Sequence, residues 1–334
     1  MRNFIGAAAG LIGAAAVSIT VAFTASAALA ASGKLVVYTS QLEADAQQTV
    51  DEFKKLNPGV EVEWTRSGTT DLMNKLRAEF QAGSPQPDVL LIADAVTMES
   101  LKRDGRLAKF EAAPVAAYQK DFYDADLTYF GTKLITTGIA YNKNAKMKPT
   151  SWADLTKPEA KNLVSMPSPL YSGAAAIHMA ALKEVPGLGM KYYEALHENG
   201  AVAVRGNGGV MTAVAGGEKL YGVLIDYLPI REGLKGSPVE FVFPTDGVSA
   251  VSEPVAILST ARNPEAAQAF VSYLLSRQGQ ELASSQGFLP AHPDVAPPKG
   301  FPKLTEIKVL PLDNAKALAE DQANKMAFAD LFGG

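Results

Sequence analysis

The chain of 334 residues contains no cysteine. This absence excludes disulfide bonds, thiolate metal sites and a cysteine nucleophile, and it also excludes the cysteine through which exported receptors are anchored to lipid. Motifs for nucleophilic, metal-dependent or phosphate-transfer catalysis (Gly-x-Ser-x-Gly, His-Glu-x-x-His, a Walker loop) are also missing after residue 30. We therefore expect that the protein is not an enzyme and that it uses no cofactor.

Histidine is scarce, and the three present, His178, His197 and His292, have no metal-ligand spacing. A strong charge of one sign is missing too, because 31 Lys and Arg residues against 35 Asp and Glu residues leave a formal charge of −4. Nucleic acids and anionic membranes attract basic surfaces. We therefore expect neither a metal-binding histidine cluster nor a nucleic-acid partner.

Long apolar runs are confined to the N-terminus. Arg2 precedes an Ala-, Gly-, Ile- and Val-rich stretch over residues 5–30, which ends in the small-x-small tripeptide Ala28-Leu29-Ala30. This pattern predicts a signal peptide over residues 1–30 and export of the mature protein to the periplasm. From Ala31 onwards, charged residues, Gly or Pro interrupt every apolar run before it reaches the ~20 residues of a spanning helix.

The mature chain alternates between strand-like and helix-like patterns. Apolar, β-branched runs at residues 35–39, 60–64 and 87–93 are each followed by a helical pattern. This order predicts an α/β fold with a largely parallel sheet covered by helices. Because one core rarely grows beyond roughly 250–300 residues, residues 31–334 are expected to form two lobes.

The chain is predicted to cross between the two lobes twice. We assign residues 31–137 and 249–300 to lobe 1, residues 138–248 to lobe 2 and residues 301–334 to a C-terminal helical segment. The strand at residues 135–142 would leave lobe 1, and the strand at residues 253–258 would return to it. Two such crossings predict a hinge.

Short polar residues follow the predicted strands of lobe 1, where helices begin. In open α/β sheets, ligands bind beyond the carboxyl ends of the strands, and helix N-termini offer N–H groups to anions. Each of these residues is also a common N-cap. The candidates in lobe 1 are Thr39, Ser40, Ser67, Gly68, Thr69, Thr70 and Asp94.

Lobe 2 repeats the same arrangement of strand, permissive turn and helix. Ser172 and Gly173 enter one predicted helix, and Asn207 and Gly208 enter another. Glycine allows a close approach of the backbone to a ligand. Asp226 and Tyr227 follow a further buried strand and complete the list of candidate ligand-binding residues, although Asp226 is nearly as well explained as a helix cap.

Several segments, in this order, resemble one protein family. They include LVVYTS at residues 35–40, SGT at 67–69, PDV at 87–89, GIAYN at 138–142 and VAGGEKLYG at 214–222. Together they resemble the type II periplasmic solute-binding proteins of ABC importers, in the branch that contains ferric-iron, organophosphate and 2-aminoethylphosphonate receptors. The resemblance implies a two-lobed fold that encloses a small ligand in the cleft between the lobes and delivers it to a permease in the inner membrane. We expect such a receptor to act as a monomer.

The resemblance leaves two kinds of ligand open. Ferric receptors of this branch place two adjacent tyrosines where this chain has Asp226 and Tyr227, so only one phenol is present and Asp226 would have to serve as the other ligand. The adjacent Tyr192 and Tyr193 fall in a predicted helix, where neighbours point about 100° apart. We expect these two to be packing residues.

The favoured ligand is a small phosphonate or phosphate-bearing solute such as 2-aminoethylphosphonate. Hydroxyl and N–H groups would bind its oxyanion, and Asp226 would bind its amino group, since a buried carboxylate needs a partner. In a sugar phosphate, Asp94 and Asp226 would accept hydroxyl hydrogen bonds instead. A hypothesis of a different class is a periplasmic sensor partner or adhesin-like protein, which would have a protein-binding surface and no interlobe site.

Overall fold

A computed structural model describes Met1 and residues 31–302 and 306–333. Apart from Met1, the predicted signal peptide lies outside these residues. The described chain from residue 31 onwards contains two mixed β-sheets with helices packed on them. The part of the chain around the first sheet is called lobe 1 and the part around the second sheet lobe 2. The predicted two-lobed α/β fold is confirmed.

The sheet of lobe 1 has five strands in the order β2-β1-β3-β11-β4. β1 is parallel to β2 and β3, whereas β11 is antiparallel to β3 and β4. The carboxyl ends of the three parallel strands therefore meet at one edge, as predicted. Its strands are β1 (Gly33–Thr39), β2 (Val60–Arg66), β3 (Val89–Leu91), β4 (Tyr129–Gly131) and β11 (Pro254–Ile257).

The sheet of lobe 2 is organised around one long strand, β5. Along one edge β5 pairs with β8, and along the other it pairs in turn with β12, β10 and β9, all antiparallel. β6 is parallel to both β7 and β8. The strands are β5 (Lys133–Asn142), β6 (Val164–Pro167), β7 (Val202–Val204), β8 (Tyr221–Ile225), β9 (Val239–Val242), β10 (Ser249–Val251) and β12 (Leu289–Pro290).

The helices follow the strands closely along the chain. In lobe 1 they are α1 (Glu43–Leu56), α2 (Thr69–Gln81), α3 (Ala95–Arg103), α8 (Pro264–Leu275) and α9 (Arg277–Ser285). In lobe 2 they are α4 (Gly173–Lys183), α5 (Met190–Glu198), α6 (Asn207–Ala215) and α7 (Tyr227–Leu234), and the C-terminal helix is α10 (Asn314–Phe332). Within the described ranges, no helix combines the length and the apolar character needed to cross a bilayer.

Each lobe has its own apolar core. In lobe 1, α1 and α8 pack on one face of the sheet, where the rings of Phe53 and Phe270 meet edge to face with their centroids 5.0 Å apart. In lobe 2, Trp152 is fully buried and its indole N–H donates to the carbonyl of Gly247 at 2.8 Å. A buried aromatic side chain contributes on the order of 1.5–3 kcal/mol by leaving water, so these rings stabilise each lobe separately.

The chain crosses between the sheets at Thr132 and again at residues 252–253. The two crossings touch, because the hydroxyl of Thr132 donates to the carbonyl of Glu253 at 2.8 Å. Glu253 has a φ of 34°, a left-handed conformation that is rare for a residue other than glycine. We assigned residues 249–251 to lobe 1 from the sequence, but β10 pairs with β5 in the sheet of lobe 2.

A third crossing follows α9, because β12 pairs with the first residues of β5. Ala291 still packs in the core of lobe 1, whereas Lys308 lies beside lobe 2, where its carbonyl accepts from the N–H of Val248 at 2.8 Å. α10 packs on α4 and α5 of lobe 2 and also on α3 of lobe 1. The lobe boundaries given by the sequence stay a prediction. In the structure, the chain passes from one sheet to the other at residues 132, 252–253 and 286–288.

Candidate functional site

A cavity of about 420 Å³ lies between the two lobes. Its walls are built from the turns that follow β1 and β2 in lobe 1, from the turn that follows β7 and the start of α4 in lobe 2, and from Glu253 at the crossing. Small-molecule sites typically measure about 300–1,000 Å³. The cavity thus has the position and the size of an interlobe ligand site.

Eight of the residues predicted from the sequence line this cavity. Lobe 1 contributes Ser40, Gly68 and Thr69, and lobe 2 contributes Ser172, Gly173, Asn207, Gly208 and Tyr227. They come together because the polar ends of parallel strands in both lobes face the same cleft. The sequence pattern located these strand ends, and the fold brings them to one place.

Five helices, α1, α2, α4, α6 and α7, begin at the wall of the cavity. Gly68 precedes α2 and Gly206 precedes α6, and neither provides a side-chain cap, whereas Ser172 caps α4 by accepting from the N–H of Ala175 at 3.3 Å. The first N–H groups of a helix have no partner within the helix and carry its positive dipole end. The N-terminal ends of α2 and α6 therefore present N–H donors that suit an anion.

Hydrogen bonds hold the polar side chains of the cavity wall in place. The hydroxyl of Ser40 accepts from the N–H of Ala93 at 2.9 Å. The amide of Asn207 donates to the hydroxyl of Ser172 at 3.2 Å, and its oxygen accepts from the N–H of Ile225 at 3.2 Å. These side chains are positioned by neighbouring elements rather than by a ligand.

Four other predicted residues of lobe 1 are placed behind the wall. The hydroxyl of Thr39 accepts from the N–H of Gln41 at 3.1 Å, and the hydroxyl of Ser67 donates to Asp71 at 3.2 Å. Thr70 and Asp94 line a separate cavity of about 60 Å³ under α10, and Asp94 caps α3. These four residues are thus engaged within the protein.

Asp226 also lies outside the cavity lining. It is buried, and both of its oxygens are occupied: one accepts from the N–H and the hydroxyl of Thr136 at 3.0 and 2.7 Å, and the other accepts from the N–H of Tyr227 at 2.7 Å. Burial raises the pKa of Asp226 to about 7 even though these hydrogen bonds lower it. Its carboxylate joins α7 to β5, so it does not face the cavity as the amino-group role requires.

Tyr227 does line the cavity but is mostly buried. Its ring packs against Phe288 with the centroids 4.2 Å apart, and the guanidinium of Arg231 lies 5.2 Å from the ring centre. Burial raises the pKa of the Tyr227 phenol well above its ordinary value. A neutral phenol in this position can exchange hydrogen bonds with a ligand.

The adjacent Tyr192 and Tyr193 belong to the core of lobe 2, with their rings 5.7 Å apart and facing Trp152 and Phe328. His178 is equally buried: it lies 4.5 Å from the ring of Trp152, and its Nδ1 is 3.0 Å from the hydroxyl of Ser249. Within the described residues, no group of three or more His, Cys, Asp or Glu side chains is arranged to hold a metal ion.

Sequence reasoning missed three large residues at the cavity: Arg66, Tyr171 and Arg205. Arg66 is the last residue of β2 and Arg205 directly follows β7, so both occupy the strand ends where we searched only for small polar residues. Nη1 of Arg66 donates to the hydroxyl of Tyr171 at 3.1 Å, and the guanidinium of Arg205 lies 4.5 Å from the centre of the same ring. A basic residue at the end of a predicted strand is the sequence signal that marks both arginines.

Gln41 and Glu253 were also missed, and both line the cavity. Glu253 forms a buried ion pair with Lys133 at 2.6 Å and accepts from the amide of Gln41 at 3.1 Å. The buried Oε1 of Gln41 has no hydrogen-bond partner in the described part of the chain. No sequence pattern marks Lys133 and Glu253, because they are far apart in the chain. They form a pair only where the two segments that cross between the lobes meet.

The lobes touch each other around the cavity. The N–H of Thr70 donates to the carbonyl of Tyr171 at 3.4 Å, and Arg205 pairs with Asp71 at 2.6 Å. A Cβ on Gly68 would lie 2.6 Å from both the ring and the carbonyl oxygen of Tyr171. The cleft is therefore closed. This closure requires glycine at position 68, because a side chain there would collide with Tyr171.

Two lobes joined by crossing segments, with a cavity of small-molecule size between them that both lobes line, are the architecture of a solute-binding protein. The chain belongs to the family of bacterial extracellular solute-binding proteins, whose family model matches residues 48–309. The resemblance found in the sequence is confirmed. Proteins of this class bind small ligands and work with ABC permeases, which indicates a binding rather than a catalytic role.

The chain is similar to known proteins of this class. It is 30% identical over 279 residues to a Fe(3+)-binding periplasmic protein of Serratia marcescens, covering 79% of this chain and 80% of that protein. Its fold is similar to AfuA of Actinobacillus pleuropneumoniae, solved with fructose-6-phosphate bound, with a TM-score of 0.82 and 23% identity over 90% of this chain and 98% of that chain. Iron-bound HitA from Pseudomonas aeruginosa gives a TM-score of 0.76 and 23% identity over 89% and 99%.

Proposed function

We propose that this protein is the periplasmic receptor of an ABC importer for a small organic solute that carries a phosphate or phosphonate group. The observation that carries the proposal is the cavity wall, where the uncapped N-terminal ends of α2 and α6 face the same space from opposite lobes. An oxyanion held there would satisfy donors of both lobes at once and so favour the closed state. The receptor acts as a monomer and passes its ligand to an inner-membrane permease.

The size of the cavity favours a larger member of this class. About 420 Å³ lies within the range of sites for drug-sized ligands, whereas a two-carbon phosphonate would leave much of the space to water. Polar groups that suit hydroxyls, including Gln41, Glu253 and Tyr227, complete the lining. The similarity of the fold to AfuA with bound fructose-6-phosphate supports a phosphate ester of sugar size beside 2-aminoethylphosphonate.

A ferric ion is the second candidate, and one observation favours it: the 30% identity to the Fe(3+)-binding protein of Serratia marcescens. Against it stands the donor set, because both oxygens of Asp226 already accept hydrogen bonds inside the protein. Tyr227 would then be the one phenol available from this pair. A ferric site here would require ligands different from the pair that the sequence offers.

Thermal-shift and calorimetric titrations of the purified protein separate these candidates. We expect a rise in melting temperature with hexose 6-phosphate or 2-aminoethylphosphonate, because a ligand that binds the native state at 100 times its Kd stabilises it by about 2.7 kcal/mol. Ferric citrate and a polyamine complete the panel. Stabilisation by ferric citrate alone, with a visible phenolate absorption band lost in Tyr227→Phe, would overturn the proposal.

A further inference from the structure

Two arginines from opposite lobes stand beside one tyrosine at the cavity. Arg66 of lobe 1 donates from Nη1 to the hydroxyl of Tyr171 at 3.1 Å, and the guanidinium of Arg205 of lobe 2 lies 4.5 Å from the centre of the Tyr171 ring. All three side chains line the cavity. Closing the lobes therefore brings two positive charges to the same tyrosine.

The protein itself balances one of these two charges. Nε of Arg66 donates to the carbonyl of Gln41 at 2.9 Å, which orients the guanidinium but adds no negative charge. Arg205 pairs with Asp71 at 2.6 Å, and in the described residues this is the one carboxylate within ion-pair distance of either arginine. Of the acidic residues in the lining, Glu253 pairs with Lys133, and Glu43 is exposed at the start of α1. The side chains thus leave one net positive charge at Tyr171, and the N-terminal ends of α2 and α6 each add the equivalent of about half a positive charge.

Backbone donors without a side-chain cap surround the same place. α2 begins three residues after Arg66 and α6 begins two residues after Arg205. The glycines before them, Gly68 and Gly206, lie against Tyr171, where an added Cβ would be 2.6 Å and 3.0 Å from its ring. An anion beside Tyr171 thus meets a guanidinium and helix N–H groups from each lobe, and a guanidinium matches phosphate geometry with two parallel N–H donors.

We propose that Arg66 and Arg205 together bind the anionic group of the cargo, one guanidinium from each lobe, and that they select a dianion. This inference rests on the proposed function and specifies the charge of its ligand. A phosphomonoester or phosphonate with nearly two negative charges at neutral pH matches the unpaired charge of Arg66 together with the two helix ends, whereas a monoanion matches about half of this positive charge. Tyr171 is a positioning residue that orients the two guanidiniums.

Isosteric ligand pairs test the selection of charge. Hexose 6-phosphate is compared with hexose 6-sulfate, and 2-aminoethylphosphonate with 2-aminoethylsulfonate, by calorimetry at pH 7.5. We expect the dianion of the pair that binds to be at least about tenfold tighter than its monoanionic isostere, because its second negative charge adds Coulomb attraction to the guanidiniums and helix N-termini around it. Equal affinity for both members of each pair would overturn the inference.

Variants of Arg66 and Arg205 test whether these two arginines cause the preference for a dianion. Arg66→Gln and Arg205→Gln should each weaken binding of the dianion about tenfold or more and should bring its affinity close to that of the sulfate or sulfonate. Arg103→Gln is the matched control, because Arg103 is an exposed arginine of α3 that pairs with Glu99 away from the cavity. The side chain of Arg205 is 73% exposed, so its replacement leaves the core intact.

The failure of this inference differs from the failure of the proposed function. If the native protein binds phosphates or phosphonates while both variants bind them like Arg103→Gln, the arginines do not hold the anion and the receptor function stands. If the native protein binds no member of the phosphate and phosphonate panel, the proposed function fails together with this inference. Circular dichroism of each variant verifies that it is folded.

Discussion

The carboxylate of Asp226 accepts hydrogen bonds from both the N–H and the hydroxyl of Thr136, a residue 90 positions earlier in the chain. This contact fixes the start of α7 to β5 close to the crossing between the lobes. Asp226 is therefore a buried structural carboxylate beside the cavity, and its titration affects stability.

Asp226→Asn should change how stability depends on pH. Burial raises the pKa of this carboxyl to about 7, so between about pH 4 and 7 the native state holds a proton that the unfolded state has lost. The free energy of unfolding should then fall as pH rises through this interval, by no more than about 4 kcal/mol. Guanidinium denaturation at pH 5, 6 and 7 measures it, and parallel profiles for the native protein and the variant would contradict it.

His178→Gln should reveal a pH effect of the opposite sign. Burial lowers the pKa of His178 to about 3, so below about pH 6.5 the unfolded state binds a proton that the native state does not. Stability supplied by the neutral imidazole should be lost as pH falls from 6.5 towards 3, and the variant should lack this loss. The difference between the two denaturation profiles isolates the effect; a constant difference from pH 4 to 7 would exclude it.

Gly68→Ala should hinder closure of the lobes. The new Cβ would lie 2.6 Å from the ring and the carbonyl of Tyr171, and overpacking of this kind costs about 1–3 kcal/mol. Ligand affinity should fall roughly 5- to 150-fold, and small-angle scattering with ligand should show a larger radius of gyration. Gly208→Ala is the control for closure, because an added Cβ there meets no protein atom within 4 Å, so its radius of gyration at saturating ligand should equal that of the native protein. Equal radii of gyration of the two variants at saturating ligand would show that the clash is absorbed.

Lys133→Met should destabilise the protein strongly. The side chains of Lys133 and Glu253 are 4% and 3% exposed and form an ion pair at 2.6 Å between the two crossings. Removing one partner of a buried pair costs about 3–5 kcal/mol, because the other charge is left buried and unpaired. Chemical denaturation should show a smaller loss for the double variant Lys133→Met with Glu253→Gln; additive losses would rule out coupling between the two side chains.

Local patterns predicted many elements of the fold within a few residues. The apolar runs at residues 35–39 and 60–64 became β1 (Gly33–Thr39) and β2 (Val60–Arg66), and the C-terminal helical segment contains α10 (Asn314–Phe332). The break between α8 and α9 was not evident from the sequence: α8 stops at Leu275 and α9 starts at Arg277, because the hydroxyl of Ser276 accepts from the N–H of Gly279 at 3.1 Å and begins a new helix. Serine occurs inside helices as well as at helix caps, so the sequence alone did not show that Ser276 separates two helices.

The sequence alone determined the class of fold, the polar strand ends and the absence of thiol chemistry, because each depends on residue type and on spacing along the chain. The tertiary structure decided which polar groups face the cavity. Asp226 and Arg205 both directly follow a strand of lobe 2, yet the fold turns one towards Thr136 and the other towards Tyr171. Contacts between residues far apart in the chain set these orientations, and no local pattern encodes them.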